Sequence, residues 1–208
     1  MGNLVVIVPR KVEAKGLNKN NVINEEKLKN YVFSEDIANF SLIDKIKKIK
    51  LRTNNPRLYY PGSGCDILWP LYFLDIFLEL EDVQFIFVDH DNNLGLIKMI
   101  LDDIGISFAE KDDSIMFYWK GIFIHLKFLA DDVFSSLSSI PIFDIYFERS
   151  FRIMKSYHDD FEKNVYDKLN EGGVIVSDSG FRQFPLKKIK VSPELSFYRE
   201  MIVGVKVR

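Results

Sequence analysis

The sequence predicts an α/β protein built on a mostly parallel sheet, with helices on both faces and a closing antiparallel hairpin. Three observations predict this. A short apolar run, Leu58 to Tyr60, breaks at Pro61, turns through Gly62, Ser63 and Gly64, and enters an apolar segment of helical length. From Arg57 onward, apolar runs of strand length alternate with stretches of helical periodicity, the pattern of βαβ units joined by right-handed crossovers. Acidic residues then stand at the ends of successive strands, where open parallel sheets take their ligands.

In chain order, Leu4 to Val8 reads as a strand and Asn18 to Asn24 as a polar loop. Glu25 to Lys50 carries helical signals, for one helix or two. Ser34 followed by Glu35 and Asp36 suits an N-cap with acids in the first turn. Ile37, Phe40, Ile43, Ile46 and Ile49 fall on one side, with lysines on the others. Thr53-Asn54-Asn55-Pro56 ends the pattern, because the residue before a proline is pushed away from the α region. Residues 1–55 are therefore read as an N-terminal helical extension or cap, and residues 56–208 as the α/β domain.

Ile67 to Leu80 is long enough for one helix. Gln84 to Asp89 is a nearly continuous apolar run closed by an acid, as a strand buried on both faces reads. Asn92 to Ile104 places Leu94, Ile97, Ile100, Leu101 and Ile104 at helical spacing before Gly105. Ile115 to Trp119 and Ile122 to Leu129 flank Lys120-Gly121 as a hairpin, whose second arm ends in Ala130-Asp131-Asp132. Ile142 to Phe147 is the next buried strand. His158 to Asn170 carries Phe161, Val165 and Leu169 four apart and stops at Gly172-Gly173, and Val174 to Val176 follows as a strand. Leu186 to Val191 and Ser196 to Val207, around Ser192-Pro193-Glu194, make the closing hairpin.

The 208 residues carry a net charge of −2 and a single cysteine, Cys65, which excludes an intramolecular disulfide and a cysteine-based zinc site. No basic excess marks a nucleic-acid partner, so nucleic acid is disfavoured. No run reaches the roughly 18 apolar residues of a membrane span. The first residues lack a basic leader and an apolar core of signal-peptide length, so a soluble, cytoplasmic protein without a membrane partner is the expectation. His125 and His158 form no metal-spaced cluster with carboxylates. Trp69, Tyr72, Phe73 and Phe77 read as core, with Trp69 or Tyr72 bordering a pocket as the alternative, and Lys45, Lys47, Lys48 and Lys50 as a solvated helix face, with contact to nucleic acid as the alternative.

The turn at Gly62 to Gly64 suggests chemistry. Two glycines one residue apart let the backbone take φ values closed to other residues and let a ligand approach bare amides. The following helix adds a weakly positive end. A nucleoside-bearing cofactor suits such a turn, a tight turn without ligand being the plain alternative. Asp89 can accept two hydrogen bonds from a vicinal diol, and Asp131 or Asp132 one from an adenine amino group. The same acids also suit helix caps, Asp89 for a helix near Asn92 and Asp131 or Asp132 for one from Val133. Ile67 stands where a dinucleotide fingerprint needs its last glycine, which disfavours NAD, and no Walker A loop is present.

Taken together, PGSGC, FVDHD, LADDV, FDIYF and LNEGGVIVSDSG resemble, in order and spacing over residues 57–208, the motifs of the class I S-adenosylmethionine-dependent methyltransferases, and SFYREMIVGVKV is similar to their last antiparallel strand. The resemblance implies a Rossmann-like methyltransferase fold, S-adenosylmethionine as cofactor, and methyl transfer to an acceptor expected to be a small molecule. It implies that Pro61, Gly62, Ser63 and Gly64 run under the methionine portion and ribose, and that Asp89 holds the ribose hydroxyls with His90 beside the adenine. Asp131 or Asp132 would meet the adenine amino group, and Phe147 and Glu148 would lie at the mouth. Glu148 would serve as a base or orient a nucleophile, and Arg149 would clamp an anionic substrate; a salt bridge between helix and sheet is the alternative for either. Two positions depart from the family: Tyr60 replaces its usual acid, and Asp66 its third glycine. Asp66 is expected to take over part of that acid's work by pairing with the ligand ammonium, or else to be only an N-cap. These departures keep open a second reading, a catalytically inactive domain that binds a nucleoside or a partner protein.

Overall fold

The computed structural model describes residues 10–32, 34–196 and 198–207, without the side chains of residues 34 and 35. The strand expected at Leu4 to Val8 and the cap expected of Ser34 lie outside the described part. Among the described residues nine strands form one sheet: β1 (Arg57–Pro61), β2 (Asp82–Asp89), β3 (Phe108–Lys111), β4 (Ser114–Trp119), β5 (Ile122–Ala130), β6 (Phe143–Glu148), β7 (Leu169–Ser177), β8 (Leu186–Ile189) and β9 (Ile202–Lys206). Their order is β3-β4-β5-β2-β1-β6-β7-β9-β8.

Strands β5, β2, β1, β6 and β7 run parallel, whereas the β3-β4-β5 and β7-β9-β8 ladders are antiparallel. The expectation of a mostly parallel sheet is corrected to a mixed one. Antiparallel pairs flank the parallel centre on both sides: tight turns join β3, β4 and β5, and the longer segment 190–201, with a 3-10 turn at Pro193–Leu195, returns the chain from β8 to β9. The hairpin expected around Lys120-Gly121 is present, with Trp119 opposite Ile122. Strand β3 matches no element of the sequence pattern. It is an edge strand with only Phe108 buried, and Glu110 and Lys111 face solvent, so no alternation betrays it.

Helices cover both faces. On one, α2 (Ser34–Ile43), α3 (Leu68–Phe73) and α4 (Leu94–Asp103) pack against Leu58, Tyr60, Phe85, Phe87 and Phe147. On the other, α5 (Val133–Ser136) and α7 (Phe161–Lys168) pack against Tyr59, Ile86, Val88 and Tyr146. Alternate residues of each central strand feed the two cores, which is why these strands read as unbroken apolar runs.

Three expected elements end early. The helix from Ile67 stops at Phe73, and after a 3-10 turn at Leu74–Ile76 the chain is extended, Leu78 N–H donating to the Ile49 carbonyl at 2.9 Å. The helical stretch from Glu25 divides into α1 (Glu25–Leu28), a 3-10 turn and α2; beyond Ile43 the chain turns, and Ile46 and Ile49 reach the core outside any helix. Strand β7 begins directly after α7, so Gly172 and Gly173 lie within the strand and not at a helix stop.

Residues 10–55 share the core of the domain, to which they contribute Leu28, Val32, Phe40, Ile43, Ile46, Ile49 and Leu51. Arg10 and Lys15 pair with Asp102 at 2.7 and 2.5 Å, and Tyr31 donates a hydrogen bond to Asp103. The Phe40 ring stacks on Tyr72 at 3.9 Å and tilts against Trp69 at 4.9 Å, which brings α2 over α3 and beside the glycine turn.

Candidate cofactor site

The turn after β1 forms because two of its residues adopt left-handed backbone, Gly62 with φ of 60° and Gly64 with φ of 52°. Gly62 N–H donates to the Val88 carbonyl at 2.8 Å, and Gly64 N–H donates to Asp89 Oδ2 at 2.8 Å. The glycine turn and the acid ending β2 therefore meet at one edge of the sheet. Asp89 Oδ1 accepts from the Asp91 amide at 3.3 Å. A carboxylate offers about four lone-pair sites, so Asp89 retains acceptors for a diol.

Beside this turn lies a cavity of about 260 Å³. Ser63 and Asp66 enter it from the turn, Trp69 from α3, Tyr31 and Asp36 from the N-terminal segment, and Arg149 from the chain after β6. The Ser63 hydroxyl and Arg149 Nε are buried without a hydrogen-bond partner among the described residues. Buried polar atoms are almost always paired, so these two mark where a polar ligand group would be satisfied. The Arg149 guanidinium stacks over the Trp69 ring at 3.6 Å and pairs with Asp36 at 3.7 Å.

The two residues that depart from the family motif are bonded to each other. Asp66 Oδ2 accepts from the Tyr60 hydroxyl at 2.8 Å, and Asp66 Oδ1 accepts from the Trp69 amide at 3.2 Å, capping the first turn of α3. Burial pushes the Asp66 carboxyl up, with Arg149 and the Tyr60 hydroxyl opposing the rise.

Other expected site residues lie elsewhere. Phe147 is wholly buried, its ring edge-on to Tyr60 at 4.9 Å and Phe73 at 5.3 Å, so it belongs to the core and not to the mouth. Glu148 is wholly buried too. It accepts from the Tyr146 hydroxyl at 2.5 Å, from Ser177, and from Lys155 of α6 (Arg152–Lys155), which forms the helix-to-sheet ion pair with it. Burial pushes the Glu148 carboxyl up and Lys155 opposes it; of the two expectations for Glu148, the salt bridge between helix and sheet is present. His90 is exposed, with 90% of its side chain open to solvent. Asp131 Oδ1 accepts from the Asp132 amide at 2.8 Å, and Asp132 Oδ1 accepts from the Ser135 amide at 2.7 Å, capping α5.

Sequence reasoning missed Phe151. Its ring rests on the bare face of Gly62, where a Cβ would lie 2.5 Å from Phe151 Cδ2. Nothing in the sequence signals this contact, since it joins two loops brought together only by the pairing of β1 with β6.

The parallel strands β5-β2-β1-β6-β7 follow the 3-2-1-4-5 order of a doubly wound sheet, reversing at β1. The last strand, β9, enters antiparallel beside β7. This is a Rossmann-like α/β fold with a mixed sheet. No family model matches the sequence, and no curated protein sequence does. Solved structures of similar shape include a methyltransferase from Geobacter sulfurreducens, 12% identical over 84% of this chain and 78% of that one, with a TM-score of 0.47. Precorrin-6y C5,15-methyltransferase from Geobacter metallireducens is 12% identical over 76% of this chain and 67% of that one, with a TM-score of 0.39. Precorrin 8w decarboxylase from Methanobacterium thermoautotrophicum is 16% identical over 70% of this chain, which spans 62% of that protein's length, with a TM-score of 0.41. Likenesses at this level carry no ligand or substrate across to this chain.

Proposed function

We propose that the chain binds S-adenosylmethionine at the carboxyl edge of its sheet and transfers the methyl group to an acceptor. The observation that carries this reading is Asp89 held against the Gly64 amide, beside a cavity in which Ser63 Oγ and Arg149 Nε have no partner. Asp89 suits the ribose diol, and the bare backbone of Gly62 to Gly64 suits close approach by the sugar and the amino-acid tail. Asp36 and Asp66 set carboxylates in the cavity wall for the tail's ammonium, and Ser63 and Arg149 set donors for its carboxylate.

The cofactor supplies a methyl group on a positively charged sulfur. Displacement from such a centre needs alignment more than a strong acid or base, which fits a site whose nearest expected base, Glu148, is sealed in the core. The cavity is smaller than the roughly 300–1,000 Å³ of ordinary ligand pockets. Binding that uses the face of Gly62 also requires the Phe151 ring to leave it.

A second reading, binding without transfer, is favoured by Tyr60 and Asp66, the two departures from the motif, which bond to each other. Thermal unfolding with S-adenosylmethionine and S-adenosylhomocysteine tests both. Either ligand at a hundred times its dissociation constant is expected to stabilise by about 2.7 kcal/mol, raising the melting temperature by roughly 5 to 10 °C for a domain of this size. A shift without incorporation of labelled methyl into any fraction of a cell extract would select the second reading. No shift with either ligand would overturn both.

A further inference from the structure

Two lysine runs far apart in the sequence face each other across a groove of about 760 Å³. One wall is the segment after α2, with Lys45, Lys47, Lys48 and Lys50. The other is the edge strand β8 and the residues that follow it, with Lys187, Lys188 and Lys190. Ile49, Ile189 and Val205 form an apolar base, and among the described residues no carboxylate lines the groove.

All of these lysines are exposed. Lys50 pairs with Glu79 and Lys48 donates to the Asp75 carbonyl, each at 2.6 Å. The ammonium groups of Lys45, Lys47, Lys187, Lys188 and Lys190 have no hydrogen bond or ion pair among the described residues. Elsewhere Lys15, Lys98, Lys120 and Lys163 pair with acids, and Lys19, Lys29 and Lys111, unpaired among the described residues, do not line this groove. A chain with a net charge of −2 thus concentrates unpaired positive charge in one concave place. Self-repulsion opposes such clustering in the free protein, and an anion relieves it. Lysines that protect an edge strand from pairing explain β8, but not the second run across from it.

We propose that this groove binds the phosphodiester backbone of a nucleic-acid duplex. Lysines on two walls offer positive charge to the monoanions of a phosphodiester backbone. No aromatic side chain lines the groove, so unstacked bases of a single strand find no platform there, and a concave groove does not fit a flat anionic lipid surface. Lysine contributes point charge without bidentate base reading, so recognition is independent of sequence. The overall charge conceals this patch, which is why the sequence disfavours a nucleic-acid partner. The inference stands independently of the cofactor reading.

Fluorescence anisotropy of a labelled RNA duplex of about 20 base pairs, measured without S-adenosylmethionine across a series of salt concentrations, tests it. Wild-type protein is expected to bind the duplex more tightly than the matching single strand, with affinity falling steeply as salt rises. The triple variant Lys47→Glu/Lys188→Glu/Lys190→Glu is expected to lose at least about tenfold in affinity at low salt, and its log–log salt slope to become shallower by about 2 to 3. The control triple Lys19→Glu/Lys29→Glu/Lys111→Glu, at exposed sites outside the groove, is expected to leave both unchanged. Absence of duplex binding, equal losses in the two triples, or binding to phosphatidylserine vesicles but not to the duplex would each overturn the proposal.

Discussion

Replacing Lys155 with methionine is expected to destabilise the protein by about 3–5 kcal/mol, because it strands the Glu148 carboxylate in the core without a counter-charge. Glu148 is wholly buried, and its remaining partners, Tyr146 and Ser177, are hydroxyls that cannot neutralise it. For a chain of this size the melting temperature should fall by about 6–20 °C. The double variant Glu148→Leu/Lys155→Met should recover most of the loss, since removing both charges removes the desolvation problem with the pair. Losses that simply add would contradict the pairing. The effect also has a sign in pH. Burial already pushes the Glu148 carboxyl up, and loss of Lys155 pushes it further. A carboxyl raised in the folded state contributes stability that is full below its unfolded value near 4.3 and is lost as pH rises through the folded value. The gap between wild type and Lys155→Met should therefore be small near pH 4 and widen toward pH 8. A gap that does not change with pH would assign the loss to packing alone.

The Phe151→Ala variant is expected to pair a loss with a gain. The ring is 4% exposed and packs with Phe134 and Phe161, so truncation should cost about 3–5 kcal/mol in unfolding free energy. The same truncation bares Gly62. If ligand entry requires the ring to move, the binding-competent form of the wild type is only a fraction of the molecules, and apparent affinity is reduced by that fraction. S-adenosylhomocysteine should bind Phe151→Ala more tightly than wild type despite the lower stability. Equal or weaker binding would show that the ring does not stand in the ligand's way.

Much of the sheet's centre is legible in the sequence because strands buried on both faces leave continuous apolar runs, as Phe85 to Val88 do. The hairpin of β4 and β5 is legible from alternation, since one of its faces is buried and the other more open. Edges are not legible: β3 buries Phe108 alone, and Glu110 and Lys111 disguise it as loop. Spacing misleads where unlike geometries share it. Ile43, Ile46 and Ile49 recur every third residue, as a helix would place them, yet Ile46 follows a turn and Ile49 bridges to Phe77.

The site divides the same way. Asp89 is found because a strand end fixes its position, and its bond to Gly64 follows from the parallel register that sets Pro61 opposite Val88. Asp132 illustrates the limit, because an acid before Val133 serves a helix cap as readily as a ligand, and the cap is what the backbone shows. Phe151, Arg149 over Trp69, and the lysine groove each depend on contacts between segments that no local pattern connects.

The central claim is that Asp89 and the glycine turn together hold a nucleoside. Calorimetric titration of S-adenosylhomocysteine into wild type and into Asp89→Asn tests it most directly, since asparagine keeps an acceptor for the Gly64 amide and loses the charge that a diol would meet. Saturable binding to wild type, weakened at least about tenfold in Asp89→Asn at unchanged melting temperature, is the predicted result. Equal affinity in the two proteins, or no heat of binding in wild type, would contradict it.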